Sequence, residues 1–174
     1  MSRIDRLRAS LEEGLLVSNG QNVRYLTGFE SSNAALLVEP ERVRLFSDFR
    51  YAEAGRAVAG VEFVETKRDL YADLAGRLSG RIGFEAADLT YERWETLVGG
   101  GLVLVARSGL VERLRSIKDD AELAAIGRAV QSADRGLGRL VQEPFVGKTE
   151  AELAWMLERF IHEEGGEGLA FEIG

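Results

Sequence analysis

Apolar positions recur at helical spacing in the first residues of the chain. Ser2 stands at a helix start, with Asp5 three residues on as in a capping box. Ile4, Leu7 and Leu11 share one face, and Gly14 is expected to end the helix. Leu15-Leu16-Val17 reads as a short buried strand. Val23 and Leu26, followed by Gly28, predict a short helix closed by a glycine. Two apolar runs follow, Ala34-Ala35-Leu36-Leu37-Val38 and Val43-Arg44-Leu45-Phe46. Glu39-Pro40-Glu41 lies between them, so they predict a β-hairpin. A helix is expected from Arg50 to Val58, a strand over Val61-Glu62-Phe63-Val64, and a helix marked by Leu70, Leu74 and Leu78. Arg81-Ile82-Gly83-Phe84-Glu85 is a further strand. Thr90 caps a helix carrying Trp94 and Leu97, and after Gly99-Gly100-Gly101 comes the strand Leu102-Val103-Leu104-Val105. Five or six strands with four or five helices, including one hairpin, predict an α/β fold: a mixed sheet with helices packed on it.

The character changes between Leu114 and Leu123. Ser116 and Asp119 supply a second capping-box arrangement, and Leu123, Ile126, Val130, Ala133, Leu137 and Leu140 stripe one long helix. Glu143 to Gly147 breaks it. Thr149 and Glu152 form a third capping box, and Leu153, Met156, Leu157, Phe160 and Ile161 stripe the next helix. Leu169 to Ile173 reads as half a strand with no partner in the sequence. Two domains are therefore expected, 1–114 and 115–174, the second too short to close a core unaided.

Composition narrows the function classes. The net charge is −7, which argues against a nucleic-acid or anionic-membrane partner, since either needs a basic footprint. No cysteine is present, so disulfides, zinc fingers and thiol nucleophiles are excluded, in keeping with a cytoplasmic location. The first residues contain no apolar signal segment, and no run reaches the length of a membrane span.

Few residues invite chemistry. Gly147-Lys148-Thr149 suggests a phosphate loop, but position 142, where that motif needs glycine, is Gln142, and a helix precedes it; Thr149 is better explained as a cap. His162 is the single histidine, too few for a His-rich zinc site, and suits a solvated helix end. Asp119, Asp120 and Glu122 fit a helix start, where the dipole favours carboxylates. Glu163, Glu164 and Glu167 do not match a calcium-loop spacing. Ser47-Asp48-Phe49-Arg50-Tyr51 is different. It falls where a strand ends and a helix begins, so Arg50 and Tyr51 can present a guanidinium and a phenol at a strand's carboxyl edge. Equally, Asp48 can cap that helix with Tyr51 packed beneath it. Ser31-Ser32-Asn33 is a polar loop of the same kind, read first as a turn.

Four segments in order resemble one family. Asn22-Val23-Arg24-Tyr25-Leu26-Thr27-Gly28-Phe29, Ser32-Asn33-Ala34, Asp48-Phe49-Arg50-Tyr51 and Leu114-Arg115-Ser116-Ile117-Lys118-Asp119-Asp120-Ala121-Glu122 are similar to signatures of the aminopeptidase P, prolidase and creatinase group. Gly147-Lys148-Thr149-Glu150 and the stretch from Gly165 to Phe171 continue the register. The resemblance implies a creatinase-like N-terminal domain with a ribonuclease-H-like mixed sheet over 1–114. Over 115–174 it implies the first two helices of an incomplete pita-bread catalytic domain. Most members are Xaa-Pro exopeptidases in which two Asp, one His and two Glu hold two Mn, Co or Zn ions that activate a hydroxide; creatinase is metal-free. By this resemblance the ligand set lies past Gly174, so no catalytic or metal-binding residue is assigned in this chain and it is expected to be inactive alone. What carries over is support for homo-oligomer formation and contact with proline-containing peptides, with Arg50, Tyr51 and Asn33 as the substrate-contact candidates. The alternative is a stand-alone creatinase-like dimerisation module.

Overall fold

The unbroken apolar runs of the central strands are explained by a sheet covered on both faces. The computed structural model describes residues 1–173 and divides into two compact units, the first Met1–Ile117 and the second beginning at Lys118. In the first unit, β1 (Leu15–Val17), β2 (Ala34–Val38), β3 (Val43–Asp48), β4 (Glu62–Thr66), β5 (Arg81–Glu85) and β6 (Val103–Arg107) form one six-stranded sheet of order β4-β3-β2-β1-β5-β6. The β1–β2 and β2–β3 pairs are antiparallel, whereas β1–β5, β3–β4 and β5–β6 are parallel, so the sheet is mixed as expected.

Side chains alternate between the two faces of a strand, and this sequence fills both with apolar groups. Leu15, Val17, Leu36, Val38, Val43 and Leu45 point to one core, which also takes Leu7, Val23, Leu26 and Val111 from α1 (Arg3–Arg8), α2 (Gly20–Thr27) and α6 (Leu110–Ser116). Leu16, Ala35, Leu37, Phe46 and Ile82 point to the other, with Leu70 and Leu74 from α4 (Leu70–Arg77) and Leu97 from α5 (Tyr91–Gly99). A short 3-10 turn, Phe49–Tyr51, leads into α3 (Ala52–Arg56).

Caps fall mostly where the sequence places them. Ser2 and Asp5 exchange both capping-box hydrogen bonds, and Thr149 and Glu152 do the same. Each such side chain satisfies an N–H that the helix cannot, worth about 1 kcal/mol. Gly28 closes α2 at φ 73°, the left-handed conformation that a Cβ penalises.

Several expectations are corrected. The first helix ends at Arg8, six residues before Gly14. The helix expected from Arg50 to Val58 is split, because Asp48 caps a 3-10 turn at Arg50 and Tyr51 leaves helical geometry. The stretch between the last strand and the change of character, for which the pattern predicts no element, forms α6; its N-cap is Gly109 in the left-handed region, with no side-chain cap to announce it. The two compact units divide at 117/118. Ser116 is the last residue of α6, and the capping box of the next helix is Asp119 with Glu122.

The second unit is a helix pair, α7 (Asp120–Leu140) and α8 (Glu150–Glu163). The face of α7 packed on α8 carries Ser132, Gly136 and Leu140, spaced by four. A Cβ on Gly136 would lie 2.7 Å from Ile161 Cγ1 and 3.0 Å from its backbone nitrogen. Ser132 Oγ donates to the Glu164 carbonyl at 3.0 Å, and Arg139 lies over the Phe160 ring. Leu123, Ile126, Val130 and Leu137, most of the expected stripe, stay about half exposed. Residues 169–173 form no strand; the unit contains no other strand to pair with them among its described residues.

Candidate functional site

At the carboxyl end of β3 the backbone passes from strand to 3-10 turn, and Asp48 sits at the corner with its side chain fully buried. Its carboxylate is the hub of a cluster. Arg50 donates from Nε to Oδ1 at 2.9 Å, from Nη2 to Oδ2 at 2.7 Å, and from its backbone N–H to Oδ1 at 3.1 Å. Asn33, just before β2, donates from Nδ2 to Oδ2 at 2.7 Å and to the Arg68 carbonyl at 3.1 Å. Ser47 Oγ donates to the Asn33 carbonyl at 2.7 Å. The antiparallel β2–β3 register, with Ala34 opposite Ser47, brings these two loops together.

Tyr51 belongs to the same cluster. Its hydroxyl lies 2.9 Å from Ser32 Oγ and accepts from the Ser32 N–H at 3.3 Å. The Arg50 guanidinium stands 5.2 Å from the Tyr51 ring centre, and Phe29 meets that ring edge-on at 6.2 Å. All three sequence candidates, Asn33, Arg50 and Tyr51, therefore meet around Asp48, which caps the turn, and the Arg50 side chain is partly exposed.

The electrostatics follow from these contacts. Hydrogen bonds from Arg50, then from Asn33, hold the Asp48 carboxyl well below the usual carboxylate range. Hydrogen bonding to Ser32 lowers the Tyr51 phenol, helped by the Arg50 charge. Hydrogen bonds to Asp48 raise the Arg50 guanidinium further. A carboxylate held so firmly ionised, beside an always-charged guanidinium, has no proton to exchange near neutrality. The cluster can orient an anionic or carbonyl group through the donors of Arg50 that Asp48 leaves over; the Asp48–Arg50 pair itself offers no general acid or base.

A second polar cluster was not signalled by any motif spacing. Glu85, the last residue of β5, is buried. Its Oε2 accepts from the backbone N–H groups of Ser18 and Asn19, each at 2.7 Å, and its Oε1 accepts from Asn22 Nδ2 at 2.6 Å. The same Asn22 nitrogen donates to Glu112 Oε1 at 2.6 Å, and Asn22 Oδ1 accepts from Arg115 Nη1 at 2.8 Å. Tyr25 donates from its hydroxyl to the Leu114 carbonyl at 3.2 Å. Asn22 and Tyr25 lie in the first quoted signature and Leu114 and Arg115 in the fourth, so two distant sequence segments are physically one joint. The available sequence signal was a charged residue closing an otherwise apolar strand.

Among the described residues, no group of three or more His, Cys, Asp or Glu is placed to hold a metal ion. The densest carboxylates, Glu85, Asp88 and Glu112, are occupied by N–H and O–H donors, three of them on Glu85 alone. These residues do not fit a two-metal centre. His162 sits at the exposed end of α8 with Nδ1 2.9 Å from the Gly166 carbonyl oxygen. Thr149 caps α8, as the sequence favours over phosphate binding. No helix among the described residues is long and apolar enough to cross a membrane.

The family model described as Creatinase/Prolidase N-terminal domain matches residues 3–117. This chain belongs to that family. The creatinase/prolidase N-terminal domain is thus the first unit to its last residue. Beyond it the likeness continues: the Xaa-Pro dipeptidase from Bacillus anthracis is 28% identical, with a TM-score of 0.88 over 97% of this chain and 50% of that one. The N-terminal domain of the cytoplasmic peptidase PepQ from Mycobacterium tuberculosis H37Rv is 36% identical over 64% of this chain and 97% of its own, with a TM-score of 0.58. The uncharacterized peptidase YqhT of Bacillus subtilis is 29% identical over 92% of this chain and 48% of its own length. The chain therefore spans about half the length of the longer relatives it matches.

Proposed function

We propose that this chain is the non-catalytic amino-terminal part of a metal-dependent Xaa-Pro exopeptidase of the aminopeptidase P or prolidase type. It acts in the cytoplasm, within a homo-oligomer, on proline-containing peptides. Residues from Lys118 onward begin the catalytic domain, and the two divalent ions (Mn, Co or Zn) are held by residues outside this chain. The observation that carries this reading is the likeness to the Bacillus anthracis Xaa-Pro dipeptidase, which runs through both units. Arg50, with Tyr51 and Asn33 beside it, contacts substrate bound in a neighbouring subunit, a role supported by the partly exposed guanidinium fixed in place by buried Asp48.

The test is kinetic. In a polypeptide that continues into the second half of the relatives, Arg50→Ala should raise KM for Xaa-Pro dipeptides about tenfold or more, with metal content unchanged, the loss expected for one charge-assisted contact. Unchanged KM refutes the substrate-contact role. A second reading, a stand-alone dimerisation module, is favoured by the half-exposed stripe on α7, which a symmetric partner could cover. Absence of Xaa-Pro turnover in the continued polypeptide would favour it.

A further inference from the structure

We propose that Glu85, Asn22 and Glu112 form a proton-operated clasp, which grips α6 more tightly when Glu85 takes up a proton. Three elements meet at one amide group: Asn22 is on α2, Glu85 ends β5, and Glu112 lies on α6, the last helix before the second unit. Asn22 is fully buried, and its nitrogen serves both carboxylates at 2.6 Å. Two anions drawn to one neutral amide repel each other across it; Glu85 is buried while Glu112 is exposed, so solvent screens the repulsion on the Glu112 side only.

The geometry fixes where the proton goes. Glu85 Oε2 already accepts two backbone N–H groups. Oε1, which accepts from Asn22, is the oxygen left to take the proton. The adjoining cavity, of about 60 Å³, is lined by Glu85, Asp88, Arg107 and Glu112 among others and has room for water to deliver the proton.

Every charged neighbour bears on the result. From α6 come Glu112 and Arg115, the latter bound to Asn22 Oδ1. From the loop after β5 comes Asp88, which accepts from Ser18 Oγ and Asn19 Nδ2. From α4 comes Tyr71, with Arg93 of α5 over its ring, and from β6 comes Arg107 at the cavity wall. The net effect on Glu85 is upward: burial raises it, the donors from Asn19, Asn22 and Ser18 oppose this, and the Glu112 charge raises it again. A carboxyl raised in the folded state contributes stability that is complete below its unfolded value near 4.5 and is lost as pH rises through the folded value.

The test is a carboxyl-carbon NMR titration of the 174-residue chain, with amide exchange of residues 110–116 corrected for the intrinsic rate. Glu85 should titrate above 4.5, and α6 should gain protection as pH falls through that midpoint. Glu112→Gln keeps an acceptor for Asn22 but removes the charge, so it should move the Glu85 midpoint down by about 0.3 pH unit or more. A Glu85 midpoint at the ordinary value, α6 protection that ignores it, or a midpoint unmoved in Glu112→Gln overturns the proposal. If that variant fails to fold, the exchange profile of the unmodified chain decides alone.

Discussion

Two buried carboxylates, Asp48 and Glu85, end β3 and β5, yet they answer pH in opposite directions. Asp48 faces a guanidinium, and its charged form is favoured. Glu85 faces neutral donors and another carboxylate, and its charged form is disfavoured. The stability that Asp48 supplies is complete above its unfolded value of 3.8 and is lost only as pH falls through the lower folded value. Asp48→Asn should therefore lower the melting temperature at neutral pH, and the gap from the unmodified chain should begin to close only below about pH 4. A gap that stays constant into stronger acid would mean that the Arg50 pairing contributes little, as exposed pairs often do. Sequence alone named Arg50 and Asn33 as candidates but did not bring them to one carboxylate, because contact between residues fifteen apart depends on the hairpin register.

At the scale of elements, legibility followed the strength of the local signal. The strands β1, β2 and β3 were plain in the apolar runs of Leu15–Val17, Ala34–Val38 and Val43–Phe46, since a sheet covered on both faces needs no polar alternation. The helix α6 was illegible because Gly109 gives no capping side chain and Leu110, Val111 and Leu114 are too few to set a period. The face that α7 packs on α8 was not legible for a different reason. Hydrophobic spacing points to Leu123 through Leu137, whereas the packed face carries the small residues Ser132 and Gly136, and a Cβ on Gly136 would meet Ile161. Gly136→Ala should accordingly cost the helix pair about 1–3 kcal/mol, the usual penalty for overpacking, despite the better helix propensity of alanine. Urea titration followed by helical circular dichroism measures this, and a variant as stable as the parent would show that the two helices can separate at little cost.

At the scale of the whole molecule, the two units differ in what they lack. The first has a closed core on each face of its sheet and a family assignment covering all of it but its first two residues. The second has one helix–helix contact and a half-exposed apolar stripe. Neither, among the described residues, gathers the ligands of a metal centre. On the proposed reading, family membership lies in this chain and the hydrolytic chemistry outside it. The direct test is to incubate the purified 174-residue chain with Mn²⁺ and an Xaa-Pro dipeptide and to follow release of proline. The account predicts no release above the metal-only control, whereas cleavage that requires both the chain and the metal would contradict it.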